Sequence, residues 1–249
     1  MSDVKTFNVI ENPTEFTFVQ TSDQQGFRWD EYQIWKEAAK YIKDNVDFNF
    51  VINTGDVTQN GNQLNEWLDY YAAREKNFNG IEEMTVIGNN DLCPVNTYQL
   101  GRGEDNDKLN PINMRYFYTY ELDPQNLPIF NLEGKEIFVD SLYSFNYGNT
   151  HFLCMNSEIT PNTEILVYGL SESGNIYREI EKWCEKDIQL HSDQTWKIAM
   201  CHELPFTILT PAMITNFYWD NQEFSVERGG TKMNTNNKAD HKYWFSKFC

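Results

Sequence analysis

Val51-Ile-Asn-Thr-Gly-Asp56 and its later echo, Thr85-Val-Ile-Gly-Asn-Asn-Asp91, decide the fold. Each is a short apolar run that stops at a glycine and then presents oxygen-bearing side chains. A buried strand whose C-terminal end opens into a tight turn has this form. Glycine lets the backbone turn sharply and approach whatever binds there. In open α/β sheets, ligands sit beyond the carboxyl ends of the strands. Strand ends that deliver Asp56, Asn89, Asn90 and Asp91 make an oxygen-rich pocket, suited to hard or borderline divalent cations.

Upstream, Phe16–Thr21 reads as the first strand and ends in Ser22-Asp23-Gln24-Gln25-Gly26, again carboxylate and amides before a glycine. Asp30 is expected to cap a helix whose apolar positions are Ile34, Trp35, Ala38, Ala39 and Ile42. Asp47–Ile52 leads into the central strand. The spacing predicts a second helix from Asn62 to about Lys76, with Leu64, Trp67, Leu68 and Tyr71 on its stripe. Strand, helix, strand, helix, strand is the order of a parallel layer with crossover helices. All three strands end in ligand-type residues, so the α/β class and the site are read from the same feature.

Downstream, Leu92–Lys135 has no clear periodicity and reads as an elaborated loop over the pocket. Leu142–Tyr147 and Thr150–Asn156 flank Gly148-Asn149 as a hairpin, which adds an antiparallel layer. Ser171–Leu190 is expected to be a helix with Ile176, Ile180, Trp183, Cys184 and Ile188 inward, and Trp196–Cys201 a strand ended by His202. Thr207–Asn237 reads as irregular, with Phe217-Tyr-Trp219 a candidate pocket wall and Gly229-Gly230 a hinge. Asp240–Phe248 reads as a helix start. Residues 1–15 are a lead-in and 16–249 one domain. His151 reads as structural; His191 and His241 receive no role.

The chain has 249 residues and a formal charge of -17 at pH 7. Such a surface repels a phosphate backbone, so nonspecific nucleic-acid binding is not expected. The five cysteines include no Cys-x-x-Cys pair, which indicates neither a disulfide framework nor a zinc knuckle. The sequence carries no signal-like start and no run long enough to span a bilayer, so a cytoplasmic setting is the default. No glycine-rich fingerprint follows the first strand, which argues against a dinucleotide-binding protein.

Four motifs in order, Asp23-Gln24-Gln25, Gly55-Asp56, Gly88-Asn89-Asn90-Asp91 and His202, together with Tyr143–Phe152, Asn156-Ser157-Glu158, Trp183–Asp187 and Trp196–Pro205, resemble the calcineurin-like metallophosphoesterases, and most closely their purple-acid-phosphatase-like branch. The resemblance implies an α/β/β/α sandwich and a dinuclear site holding two divalent or trivalent ions of Mn, Fe or Zn. It implies metal ligation by Asp56 as the bridging carboxylate, Asp23 on the first ion, Asn89 and His202 on the second, and Gln25 through its amide oxygen. Asn90 and Asp91 fall on the catalytic side. The implied reaction is hydrolysis of a small phosphomonoester or phosphodiester by a metal-activated water.

Three departures accompany the resemblance. Gln25 stands where the family often has a metal-binding His. Asn90 replaces a His that contacts the phosphate; asparagine donates a hydrogen bond but shuttles no proton near neutral pH. The family's Gly-His-x-His segment is absent, so the sandwich is expected to be C-terminally incomplete and to retain metal weakly. These departures define the alternative, a degenerate, non-catalytic binding or interaction protein that keeps the fold.

Overall fold

The computed structural model describes residues 13–26, 28–61, 63–92, 122–139, 141–158, 168–171, 175–202 and three strands between 216 and 234. The chain divides into two compact units, Met1–His202 and Glu203–Cys249.

In the first unit, β1 (Phe18–Thr21), β2 (Phe50–Asn53) and β3 (Glu83–Thr85) pair in parallel in that order. The crossovers are α1 (Trp29–Asn45) and α2 (Leu64–Phe78). A short helix, α3 (Asn89–Leu92), follows the third strand. All four β2 residues are buried, as a central strand covered on both faces requires. Alternation sends its side chains into two cores. Val51 packs with Tyr32, Trp35 and Ala39 of α1 and Trp67, Tyr70, Ala73 and Phe78 of α2. Phe50 and Ile52 pack with Tyr143, Phe152, Cys154 and Met200 of a second sheet.

That second sheet joins β6 (Tyr143–Tyr147) antiparallel to β7 (Thr150–Cys154), and β7 parallel to β8 (Trp196–Met200). The predicted hairpin is therefore present. Phe50 lies 4.8 Å from Tyr147 and 5.7 Å from Phe152, and Phe145 stacks on Phe152 at 4.7 Å. Rings of this size dominate the hydrophobic gain where two sheets face each other.

The last layer is α4 (Asn175–Leu190), which buries Ile176, Ile180, Trp183 and Cys184. It also buries Asp187, with no exposed surface. The Asp187 carboxylate accepts from Ser144 Oγ of β6 (3.0 Å) and Asn126 Nδ2 (3.0 Å) and lies 2.6 Å from His151 Nε2 of β7. His151 Nδ1 faces Asn146 Oδ1 at 2.7 Å, and the ring stacks on His191 at 4.1 Å. Burial opposes ionisation of Asp187. Its hydrogen bonds and the His151 charge outweigh burial and hold the carboxyl below its ordinary range. All four layers of the α/β/β/α order are present among the described residues, and a buried polar network clasps the last two.

Several details differ from the sequence reading. Asp30 lies inside the first turn of α1, and Arg28 occupies the cap position without a side-chain bond. Acidic Asp30 and Glu31 there suit the positive end of the helix. Ile34 is 76% exposed, and Leu64 and Leu68 are 51% and 53% exposed. Tyr32 and Tyr70 take the inward places, because each can bury its ring while its hydroxyl finds a partner: Tyr32 donates to Val57 O at 2.9 Å, and Tyr70 contacts Asn53 and Glu83. On α4 the inward row ends at Asp187, with Ile188 only half-buried.

Part of the expected loop is a hairpin, β4 (Ile129–Leu132) and β5 (Lys135–Phe138). Its link is Glu133-Gly134, with φ of 51° and 73°, the positive pair that a tight primed turn needs. Residues 93–121 of that loop lie outside the described residues.

The second unit contains β9 (Asn216–Asp220), β10 (Glu223–Arg228) and β11 (Thr231–Asn234), an antiparallel meander in the order β11-β10-β9. The irregular reading of Thr207–Asn237 is corrected over these strands. Aromatic and β-branched residues in short runs, punctuated by the two-residue links 221–222 and 229–230, favour strands. Gly229, Gly230 and Asp240–Phe248 lie outside the described residues. Among the described residues, no helix is long and apolar enough to cross a membrane.

Candidate metal centre

Three strand ends meet at one edge of the sandwich. The turn after β1 is tied to the turn after β2 by Asp23 N donating to Gly55 O (3.0 Å) and Thr54 N to Thr21 O (2.9 Å). Asp23 and Asp56 both have left-handed backbones, with φ of 58° and 56°. Aspartate tolerates that region better than most residues, and such positions gather at functional turns. Gly55 and Gly88 let the second and third turns touch. A Cβ on Gly55 would lie 2.5 Å from Gly88 N, and one on Gly88 would lie 2.1 Å from Asp56 Oδ1.

Asp56 is 3% exposed. Its Oδ1 accepts from Asn90 N (2.9 Å) and its Oδ2 from Asn90 Nδ2 (2.5 Å). Asp91 is buried beneath it. The Asp91 carboxylate accepts from the backbone N–H of Asp56 (2.8 Å), Val57 (3.0 Å), Thr58 (3.0 Å) and Gly88 (3.1 Å), and from Thr58 Oγ (3.1 Å). It thereby fastens the second turn to the third. Burial, then the charge of Asp56, push its pKa up to about 7 against the pull of those donors.

His202 follows β8 and spans both turns. Its Nδ1 lies 2.7 Å from Thr54 O. A carbonyl can only accept, so Nδ1 carries the hydrogen. Nε2 then faces two oxygens, Asn89 Oδ1 at 3.2 Å and Asp56 Oδ2 at 3.4 Å. Burial works against charge on this ring, but Asp56 and the Thr54 carbonyl outweigh it and raise its pKa to about 9. The same oxygens would favour a metal cation in place of that proton. A backbone carbonyl holding one ring nitrogen so that the other can ligate is the usual support of a metal-binding His.

Gln25 turns its Nε2 to the main-chain carbonyls of Asp23 (3.1 Å) and Asp56 (2.9 Å). These two bonds outrank the single 3.5 Å contact with Asp56 Oδ2 that the opposite orientation makes. The Gln25 oxygen is left on the side of the Asp56 carboxylate. Asp23, whose Oδ2 accepts from Ser22 Oγ at 2.6 Å, stays exposed. Ligand atoms of Asp23, Asp56 and His202 lie within 4.8 Å of one another. Carboxylates, amide oxygens and one imidazole form a donor set that fits borderline divalent cations.

Asp23, Gln25, Asp56, Asn89, Asn90 and His202 thus converge on one edge, while Asp91 lies under it with its oxygens spent on the backbone. The sequence reading gives no site role to Glu158, a buried carboxylate whose charge adds to the upward shift of His202. It also missed Gln59, whose Nε2 donates to Asn90 Oδ1 at 3.2 Å. The clue to Gln59 lies within Gly55–Gly61, where it stands in a turn between two glycines.

A different cluster, His151, Asp187 and His191, also places ligand-type atoms within 4.8 Å of one another. There the polar atoms are engaged with each other and with Asn126, Ser144 and Asn146, so it is a buried polar clasp.

The second turn is also fixed from α2. Glu66 accepts from Gln59 N (2.8 Å) and Asn60 N (2.7 Å), and Trp67 Nε1 donates to Gly61 O (2.7 Å). Gly61 N donates to Asn90 O (2.8 Å). A Cβ at Gly61 would lie 1.7 Å from Asp91 O. Gly61→Ala should therefore cost about 1–3 kcal/mol, as overpacking against fixed backbone does. A thermal melt within 1 °C of the parent, about a quarter of a kcal/mol or more at this size, would show that this contact is not tight.

The chain belongs to the calcineurin-like phosphoesterase family, whose family model matches residues 16–240. Among solved structures it is similar to a purple acid phosphatase isolated from yellow lupin (Lupinus luteus) seeds, with 16% sequence identity and a TM-score of 0.47. That match covers 76% of this chain and 30% of the lupin chain, so the chain spans under a third of that structure's length. No curated protein sequence matches it significantly.

Proposed function

We propose that this chain is a metal-dependent phosphoesterase, hydrolysing a small phosphomonoester or phosphodiester at a dinuclear site. The reading rests most directly on His202 Nε2 and the oxygens of Asp23, Asp56 and Asn89, which converge from the ends of four strands within reach of a shared cation. Asp56 is the candidate bridging ligand, with Asp23 and the Gln25 amide oxygen on one side and Asn89 and His202 on the other. Bound Mn, Fe or Zn would supply an activated water and offset charge on the phosphoryl oxygens.

The protein's own contribution is orientation. Asn90 offers Nδ2 as a donor to a phosphoryl oxygen, and Asp91 holds the backbone that carries Asp56 and Asn90. Asn90 cannot return a proton to the departing oxygen near neutral pH, which favours esters whose leaving group is a stable anion. The buried thiols of Cys154 and Cys184 agree with a reducing, cytoplasmic setting. The net negative charge disfavours nucleic acid as substrate.

The second reading, a non-catalytic binding protein, draws support from Asn90 and Gln25 at the positions where the sequence departs from the family pattern. Hydrolysis of p-nitrophenyl phosphate and its bis-ester in excess Mn, with and without chelator, separates the two. Chelator-sensitive turnover supports the enzyme. Metal binding with no turnover of either ester supports the binding protein.

A further inference from the structure

We infer that Gln59 is a positioning residue that fixes which end of the Asn90 amide faces the reacting phosphoryl group. The inference rests on the phosphoesterase reading of the site. An asparagine amide has nearly the same shape in either orientation, so only its neighbours decide where its donor points. Asp56 at one end of the row can only accept, and Asn90 Nδ2 lies 2.5 Å from its Oδ2. Asn90 Oδ1 must then accept in turn, and Gln59 Nε2 supplies the donor at 3.2 Å. The row runs in one direction, Gln59 to Asn90 to Asp56.

A cation on Asp56 would draw on the same carboxylate oxygens that now hold the Asn90 nitrogen. Gln59 would then be the contact that keeps Oδ1 turned away and Nδ2 toward the ester. A reversed amide would present an oxygen to phosphoryl oxygens, and the interaction would become repulsive.

The mounting of Gln59 suits this task. Its backbone N–H is held by Glu66, which is 3% exposed. The neighbouring Asn60 is held by the same carboxylate through N at 2.7 Å and Nδ2 at 3.0 Å. Gly61, two residues on, donates to the Asn90 carbonyl at 2.8 Å. Gln59 and Asn90 are thus set on backbones already tied to each other. A side chain placed from a rigid support holds its partner more accurately than one on a free loop.

The test uses the full chain with Gln59→Met and Gln59→Glu, each made in the parent and in Asn90→Ala. Two quantities are read: the inhibition constant of inorganic phosphate in excess Mn, and the side-chain amide ¹⁵N–¹H resonances of Asn90 in the metal-free protein, assigned by their loss in Asn90→Ala. Removing one hydrogen bond predicts phosphate binding weaker by about fivefold to tenfold in Gln59→Met. Gln59→Glu, which puts an acceptor against Oδ1, should lose more. In the Asn90→Ala background both substitutions should change phosphate affinity less than about twofold, the non-additivity expected of coupled residues. The Asn90 resonances should shift in both variants.

Equal losses in the two backgrounds would overturn the inference, as would an unchanged inhibition constant. If the parent neither hydrolyses esters nor binds phosphate, the phosphoesterase reading fails. The Asn90 resonances then judge the row by themselves, and resonances unmoved by Gln59→Met reject it.

Discussion

Asp56→Asn should lower metal-dependent ester hydrolysis by at least about a hundredfold, since changes one shell further out already cost about 10–100-fold. The substitution is chosen to spare the fold. Asn is, with Asp, among the residues that tolerate the left-handed φ of 56° at this position. Its amide oxygen can still accept from Asn90 N, which now donates to Oδ1 at 2.9 Å. What disappears is the negative charge between Asp23, His202 and Asn89, and with it the group best placed to hold two cations together. Turnover, metal content and a thermal melt should be measured on the same preparation. Loss of turnover and metal with a melt close to the parent is expected. Full activity in Asp56→Asn would remove the basis for the assignment.

Asp187→Asn should act on stability instead. Its carboxylate is fully buried and pairs with His151 while accepting from Asn126 and Ser144. Leaving the buried hydrogen-bonding partners of such a group mismatched typically costs about 1–3 kcal/mol. For a domain of this size that lowers the melting temperature by about 2–12 °C. The pH dependence follows from the direction of the shift. The folded-state pKa lies below the ordinary carboxylate value, so the contribution is fully present above that ordinary value and is lost as pH falls through the folded one. The melts of parent and variant should therefore separate near neutral pH and converge in acid. Metal-dependent turnover per folded molecule should stay unchanged, because Asp187 lies outside the candidate centre. A melt within about 2 °C of the parent at neutral pH, well under 1.5 kcal/mol, would mean that the clasp between β6, β7 and α4 carries little.

The parallel layer was legible because β2 is covered on both faces. Phe50, Val51 and Ile52 must all be apolar there, and the run stops at Asn53, just before Thr54 and Gly55. The site was legible for a related reason: turns at strand ends need Gly, Asp and Asn, and those residues are also the oxygen donors.

Helix faces were harder to read. Apolar spacing places Leu64, Leu68 and Tyr71 inward, yet Leu64 and Leu68 face solvent while Tyr70 is buried with a bonded hydroxyl. Hydrophobic spacing ranks side chains by apolarity and cannot see Asn53 and Glu83 waiting across the core. Asp187 was hidden for the same reason. A carboxylate on the inward row of a helix makes sense only once Ser144, His151 and Asn126 are brought to it from 36 to 61 residues away. The role of Gln59 likewise depends on a contact to a residue 31 positions later.

The central claim is that Asp23, Asp56, Asn89 and His202 share cations, and the most direct measurement is Mn binding by the full chain, followed by electron paramagnetic resonance and metal analysis. Two ions per chain, close enough to couple magnetically, are expected in the parent. Asp56→Asn should abolish the coupled signal, and His202→Gln should weaken retention of one ion. Binding that is absent from the parent, or that survives both substitutions unchanged, would contradict the account.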